Sequence, residues 1–171
     1  MANKTNWTAY IIILLVLALL LVYVQIKDKR YEHAVSPIFN VLPEDITTVT
    51  IQKGGNEVSL LRGDSLWTFL EPDTGFVKEY KINNFMDYVI KGKKGTVLTE
   101  NPERYSHFNV DDSSATRLEL KQGEQVLEVL LIGRSSAGFS SDNIRIPGDP
   151  RVWQSQEKLL NRLSEKASWW R

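Results

Sequence analysis

The chain contains no cysteine. That excludes disulfides, thiol nucleophiles, thiolate metal sites and any lipid attached to a processed N-terminal cysteine. It leaves the compartment open. Histidine occurs twice, at His33 and His107, far apart and without a second ligand at metal spacing. Charge of one sign is also missing: Lys and Arg total 21, and Asp and Glu total 21. A neutral domain has no electrostatic footprint for nucleic acid. No Gly-x-Ser-x-Gly, His-Glu-x-x-His or Gly-x-Gly-x-x-Gly occurs, so hydrolase, zinc-protease and dinucleotide readings lack support. The expectation is a non-enzyme with no cofactor.

The most telling absence lies near the N-terminus. Ala9–Val24 holds no charge, amide or glycine, and Trp7 and Ile26 extend this stretch to the roughly 20 residues that cross a hydrocarbon core. Trp7, Tyr10 and Tyr23 stand near its ends, where amphipathic rings favour the headgroups. Leu14, Leu17 and Leu21 lie within it. The flank that follows, Lys27-Asp28-Lys29-Arg30, and Glu32 before Ala34 do not form a signal-peptidase site. The sequence therefore predicts an uncleaved anchor over 1–26, a stalk over 27–42 and a soluble domain over 43–171. The basic flank after the span, weighed against Lys4 before it, favours a domain on the cytoplasmic side. A long domain overrides that rule.

In the soluble part, two alternating runs, Ile46–Lys53 and Glu57–Arg62, flank Gly54-Gly55, which is a hairpin signal. Leu66–Leu70 reads as a further strand. Ile82, Phe85, Met86 and Val89 then recur at helical spacing, predicting a helix over Lys81–Ile90. Thr96–Glu100 follows as a strand. A similar order returns: a hairpin of Thr116–Lys121 and Gln125–Ile132, strands at Asn143–Ile146 and Arg151–Trp153, and a helix over Gln156–Lys166 carrying Leu159, Leu160 and Leu163. The expected fold is α+β: a transmembrane helix, then an antiparallel sheet with helices packed on one face. It would carry a weak hairpin-strand-helix duplication over about 46–91 and 116–166.

Several short motifs occur in a telling order. They are Pro43-Glu44-Asp45-Ile46, Trp67-x-Phe69-x-x-Pro72, Glu100-Asn101-Pro102-Glu103-Arg104-Tyr105, Ile132-Gly133, Gly148-Asp149-Pro150-Arg151-Val152-Trp153 and a terminal Trp170-Arg171. After a membrane span, this series resembles the bacterial family called domain of unknown function 4340, over most of residues 39–171. The resemblance implies a domain on the outer side of the cytoplasmic membrane. It also implies partners in an ABC-type export system, namely a permease, an ATPase and a gliding-type auxiliary subunit. It carries no catalytic residue. The expected role is a non-catalytic, membrane-anchored accessory or scaffold subunit of a membrane complex; the alternative is an envelope glycan- or lipid-binding module.

Candidate contact residues follow. Lys91, Lys93 and Lys94, read as a basic turn, offer cations to an anionic group or simply close a helix. Trp169 and Trp170 cannot share one helix face, so one is expected to pack and the other to be available. Glu100, Glu103, Asp111 and Asp112 crowd one loop, where turn-capping explains them as well as acid–base chemistry does. Arg62-Gly63-Asp64 suits a strand-strand turn. The sequons at Asn3 and Asn6 directly precede the span and are read as chance.

Overall fold

The structure is a computed structural model and describes residues 7–31, 36–136 and 138–171. The chain divides into two compact units, Met1–Ala34 and Val35–Arg171. His33, Asn3 and Asn6 lie outside the described residues.

The first unit contains one helix, α1, at Trp7–Tyr31. Its side chains are described at Trp7 and at 10–23, and each of these is exposed. Among the described residues no helix is long and apolar enough to cross a membrane.

The second unit is built on one antiparallel sheet of nine strands. They are β1 (Ser36–Pro37), β2 (Thr48–Lys53), β3 (Asn56–Arg62), β4 (Trp67–Phe69), β5 (Lys93–Thr99), β6 (Thr116–Gln122), β7 (Gln125–Arg134), β8 (Asp142–Arg145) and β9 (Val152–Ser155). Their order across the sheet is β1-β5-β9-β8-β7-β6-β2-β3-β4. The β2–β3 hairpin turns through Gly54 and Gly55, both at positive φ (54° and 83°), as a two-residue turn matched to strand twist requires.

Alternation along the strands sets two faces. One presents Val49, Ile51, Val58, Leu60, Leu118, Leu120, Leu130, Ile132, Ile144 and Trp153 to the main core. Over it lie α2 (Glu79–Phe85) and the π-helical turn Met86–Ile90, which contribute Ile82, Phe85, Val89 and Ile90. Leu159, Leu163 and Trp170, the last on α3 (Ala167–Trp170), complete it. On the other face the loop over 101–115 covers a smaller apolar group of Val110, Ala115, Leu131 and Val152.

Several sequence expectations need correction. The stalk does not extend to Leu42. The folded unit starts at Val35, Ser36–Pro37 pairs with Lys93–Lys94, and Ile38 and Phe39 are buried in the core. α1 also continues past Ile26 to Tyr31. Gln156–Lys166 is not a helix but a series of turns. Its backbone is claimed by the sheet beside it: the Leu160 N–H donates to Asp142 Oδ2 (2.9 Å), and the Ser155 hydroxyl donates to the Glu157 carbonyl (2.6 Å). Such bonds compete with a helix ladder, while Leu159 and Leu163 still reach the core. The second half therefore has no counterpart of α2, and the hairpin-strand-helix duplication fails at its last element. Lys93 and Lys94 belong to β5 rather than to a turn.

Both sheet edges are short. β4 has three residues, and its free side is closed by the Thr68–Phe76 bridge and by the Val77 N–H donating to the Trp67 carbonyl (2.9 Å). β1 has two residues, one of them Pro37, which cannot donate to another strand.

Candidate functional site

The sequence candidates do not converge. Lys91 closes the π-helical turn and pairs with Asp87 at 2.7 Å, both largely exposed. Trp170 is buried in the core, edge-on to Phe85 (centroids 5.9 Å apart, planes at 73°), and its Nε1 donates to the Ser164 carbonyl at 2.8 Å. Trp169 is half-buried, stacked T-shaped on Trp170. Lys81 Nζ sits 4.2 Å from the Trp169 ring centroid and donates to the Trp169 carbonyl. Both indoles are thus engaged within the unit.

His107 is exposed, edge-on to Phe108. Among the described residues no group of His, Asp and Glu side chains is placed to hold a metal ion. Glu100 and Glu103 face solvent. Asp111 caps its own turn by accepting from the hydroxyls and backbone N–H groups of Ser113 and Ser114. The Ser113 hydroxyl, then that of Ser114, lowers its pKa to about 2. Asp112 is drawn to Arg145 instead. The carboxylate cluster is therefore turn chemistry plus one ion pair. Arg62 is equally local, its guanidinium donating to the Pro43 and Glu44 carbonyls.

The denser polar constellation lies under the loop over 101–115. A row of cross-strand neighbours, Arg117–Leu131–Arg145–Val152, runs across that face. The buried Arg145 donates from Nε to the Val110 carbonyl (2.9 Å) and from Nη2 to Asp112 Oδ1 (3.0 Å), and its guanidinium lies 4.4 Å from the Tyr105 ring centroid. Two residues away on the same face, Asn143 donates to the Phe108 carbonyl at 3.0 Å. Tyr105 in turn donates to the Pro150 carbonyl at 3.0 Å. These bonds fasten the loop to the sheet. A lone Arg in a four-residue strand gives no sequence signal of such a role.

On the main-core face, the Trp153 ring is approached by Lys94 Nζ (4.7 Å) and by the Arg151 guanidinium (4.9 Å). Arg151 is bound bidentately by Asp149, with bonds of 2.9 and 2.7 Å. That pairing lowers the Asp149 pKa, with Lys94 adding to it, and raises that of Arg151. Beneath the loop around Ser141, a second ion pair is buried. Lys158 Nζ lies 2.7 Å from Asp142 Oδ1, outside hydrogen-bond geometry, and donates to the Ser141 carbonyl at 3.0 Å. Phe139 nearby is wholly exposed.

Comparison with protein-family models, with curated proteins and with solved structures yields no match.

Proposed function

We propose that this chain is a membrane-tethered, non-catalytic subunit whose folded unit binds another protein, as an accessory or scaffold component of an ABC-type export system. The observation that carries the reading is α1: every described side chain from Tyr10 to Tyr23 is exposed, and all but Ala18 are large and apolar. So much apolar surface around a whole helix calls for an apolar surrounding. In the sequence the uncharged run continues beyond the described side chains to the length of a span. The order of motifs from Pro43 to Arg171 supports the rest, including a folded unit outside the cytoplasmic membrane.

The test is fractionation followed by capture. The full-length protein should stay in membranes after an alkaline wash, and a protease applied from outside the cytoplasmic membrane should reach the folded unit. A tagged copy purified in mild detergent should bring down a permease or ATPase in fixed ratio. Release by the alkaline wash would sink the tether. A protein retained in the membrane but recovered alone would sink the accessory role and favour the glycan- or lipid-binding alternative.

A further inference from the structure

We propose that Arg134, Phe139, Lys158, Asn161 and Arg162 form a binding site for a carboxylated sugar chain, at the end of the core face beyond β7 and β8. The site depends neither on the tether nor on a protein partner.

The two strands meet there in a cross-strand pair, Arg134 opposite Asp142, which continues the face of Ile132 and Ile144 past the core. Asp142 is buried and organises the turn beside it. Its Oδ2 accepts from the Leu160 N–H, and its Oδ1 lies 2.7 Å from Lys158 Nζ. The Arg162 N–H then donates to the Leu159 carbonyl at 2.8 Å. Lys158 and Asn161, held by that turn, line two adjoining cavities. The larger, of about 540 Å³, is also lined by Arg134 and Phe139. The smaller, of about 380 Å³, is also lined by Tyr88 and Arg162. Both volumes fall in the range that receives small ligands, roughly 300–1,000 Å³.

The lining is cationic. No acidic residue lines the larger cavity, and Glu157 alone lines the smaller. Among the described residues neither Arg134 nor Arg162 forms a salt bridge. Asp142 balances Lys158, so the net positive charge resides on the two guanidiniums. A guanidinium binds a carboxylate through two parallel N–H···O bonds. Lys158 has three N–H donors, of which the Ser141 carbonyl takes one at 3.0 Å, and Asp142 Oδ1 stands outside hydrogen-bond geometry. The donors that remain, with the Asn161 amide, suit hydroxyl groups. Phe139 is wholly exposed, and the Tyr88 ring carries Arg162 at 4.5 Å from its centroid. An exposed aromatic ring offers its negative face to the weakly positive C–H face of a sugar. Unpaired cations for carboxylates, free donors for hydroxyls and an open ring for C–H groups describe one ligand class, an acidic glycan. An acidic peptide fits less well. An extended peptide would add to an open strand edge, whereas β7 and β8 are paired on both sides.

The experiment is titration calorimetry of the full-length protein in detergent. The probes are hexagalacturonate, its methyl ester, a hyaluronan hexasaccharide, a hexaglutamate peptide and inorganic phosphate. Expected is saturable binding of at least one of the two acidic sugars, with the ester, peptide and phosphate weaker by about tenfold or more. Arg134→Gln and Phe139→Ala alter exposed side chains. Each should weaken the bound sugar by about tenfold and leave the midpoint of thermal unfolding unchanged. Lys53→Gln, on the exposed end of β2, should bind as the parent does. A peptide bound as tightly as the sugars would overturn the glycan assignment in favour of an acidic protein segment. Phosphate or ester bound as tightly would overturn it too, the first reporting charge alone and the second no use of the carboxylates. Full affinity in both variants would place the binding elsewhere and overturn the site. Binding of neither acidic sugar at millimolar concentration would also overturn it, and would leave the tether and the accessory role untouched.

Discussion

The carbonyl oxygen of Asn109 lies over Gly133 so closely that a Cβ on Gly133 would meet it at 2.4 Å, with the Phe108 carbonyl equally near. Asn109 itself has φ 56° and donates from its side chain to the Arg134 carbonyl at 3.3 Å. Backbone rests on backbone here, so neither side can yield by a rotamer change. Gly133→Ala is expected to destabilise by about 1–3 kcal/mol. Thermal unfolding should shift down by several degrees, and a shift under one degree would contradict this packing.

Arg145 and Asp112 form an ion pair, but its two halves are unequal. Asp112 is 87% exposed and Arg145 11%. Removing the exposed partner costs little, since water replaces it. Removing the guanidinium strands the buried Val110 carbonyl and empties the space beneath Tyr105. Asp112→Ala should therefore cost under about 0.5 kcal/mol, and Arg145→Met about 1–3 kcal/mol. Hydrogen exchange should rise across residues 101–115 in the second variant alone. Equal losses would mean that the ion pair, rather than the carbonyl bond, fastens the loop.

The Asp142–Lys158 pair should behave as a buried one. Lys158→Met leaves the fully buried Asp142 carboxylate without its cation. A loss of about 3–5 kcal/mol is expected by denaturant titration. Adding Asp142→Asn should recover much of it, because an amide needs no counter-charge. A double variant as unstable as the single one would refute that account.

Asp111 has a depressed folded-state pKa, so its sign is fixed. The stabilisation it contributes is full above the ordinary carboxylate range near about 4 and is lost as pH falls toward about 2. Glu119 is lowered by Lys121 and then Arg117, and Asp149 by Arg151, so both act in the same direction. The midpoint of thermal unfolding should change little between neutrality and about pH 5 and fall below about pH 4. Asp111→Asn should flatten that fall. An unaltered acid limb in this variant would remove Asp111 from the explanation.

Much of the sheet was legible because alternation and glycine turns act locally. Val49 and Ile51 face the core together, and Gly54-Gly55 supplies the one turn that brings Lys53 opposite Asn56. Long-range effects hid the rest. β1 is a Ser-Pro pair with no period to detect, and it is a strand because Lys93 and Lys94 stand opposite it. Leu159, Leu160 and Leu163 fit a helical stripe, yet they lie in turns because Asp142, 18 residues upstream, takes the Leu160 N–H. The candidate lysines were visible as charges, but which of them has a counter-ion depended on where Asp87 and Asp149 came to rest. The role of Arg145 depends on the loop over 101–115, whose Val110 carbonyl accepts from its Nε.

The position of β5 between β1 and β9 has a consequence for synthesis. β5 is complete at Thr99, but its four-residue neighbour β9 begins only at Val152. A nascent chain that has released β8 still holds β5 with only the two residues of β1 beside it, so the corner bearing Lys93 and Lys94 closes last. Such late, non-local pairing slows folding and leaves a strand edge open while the ribosome finishes. Chains stalled before Val152 has emerged should be cut by protease within 93–99, and released chains should resist.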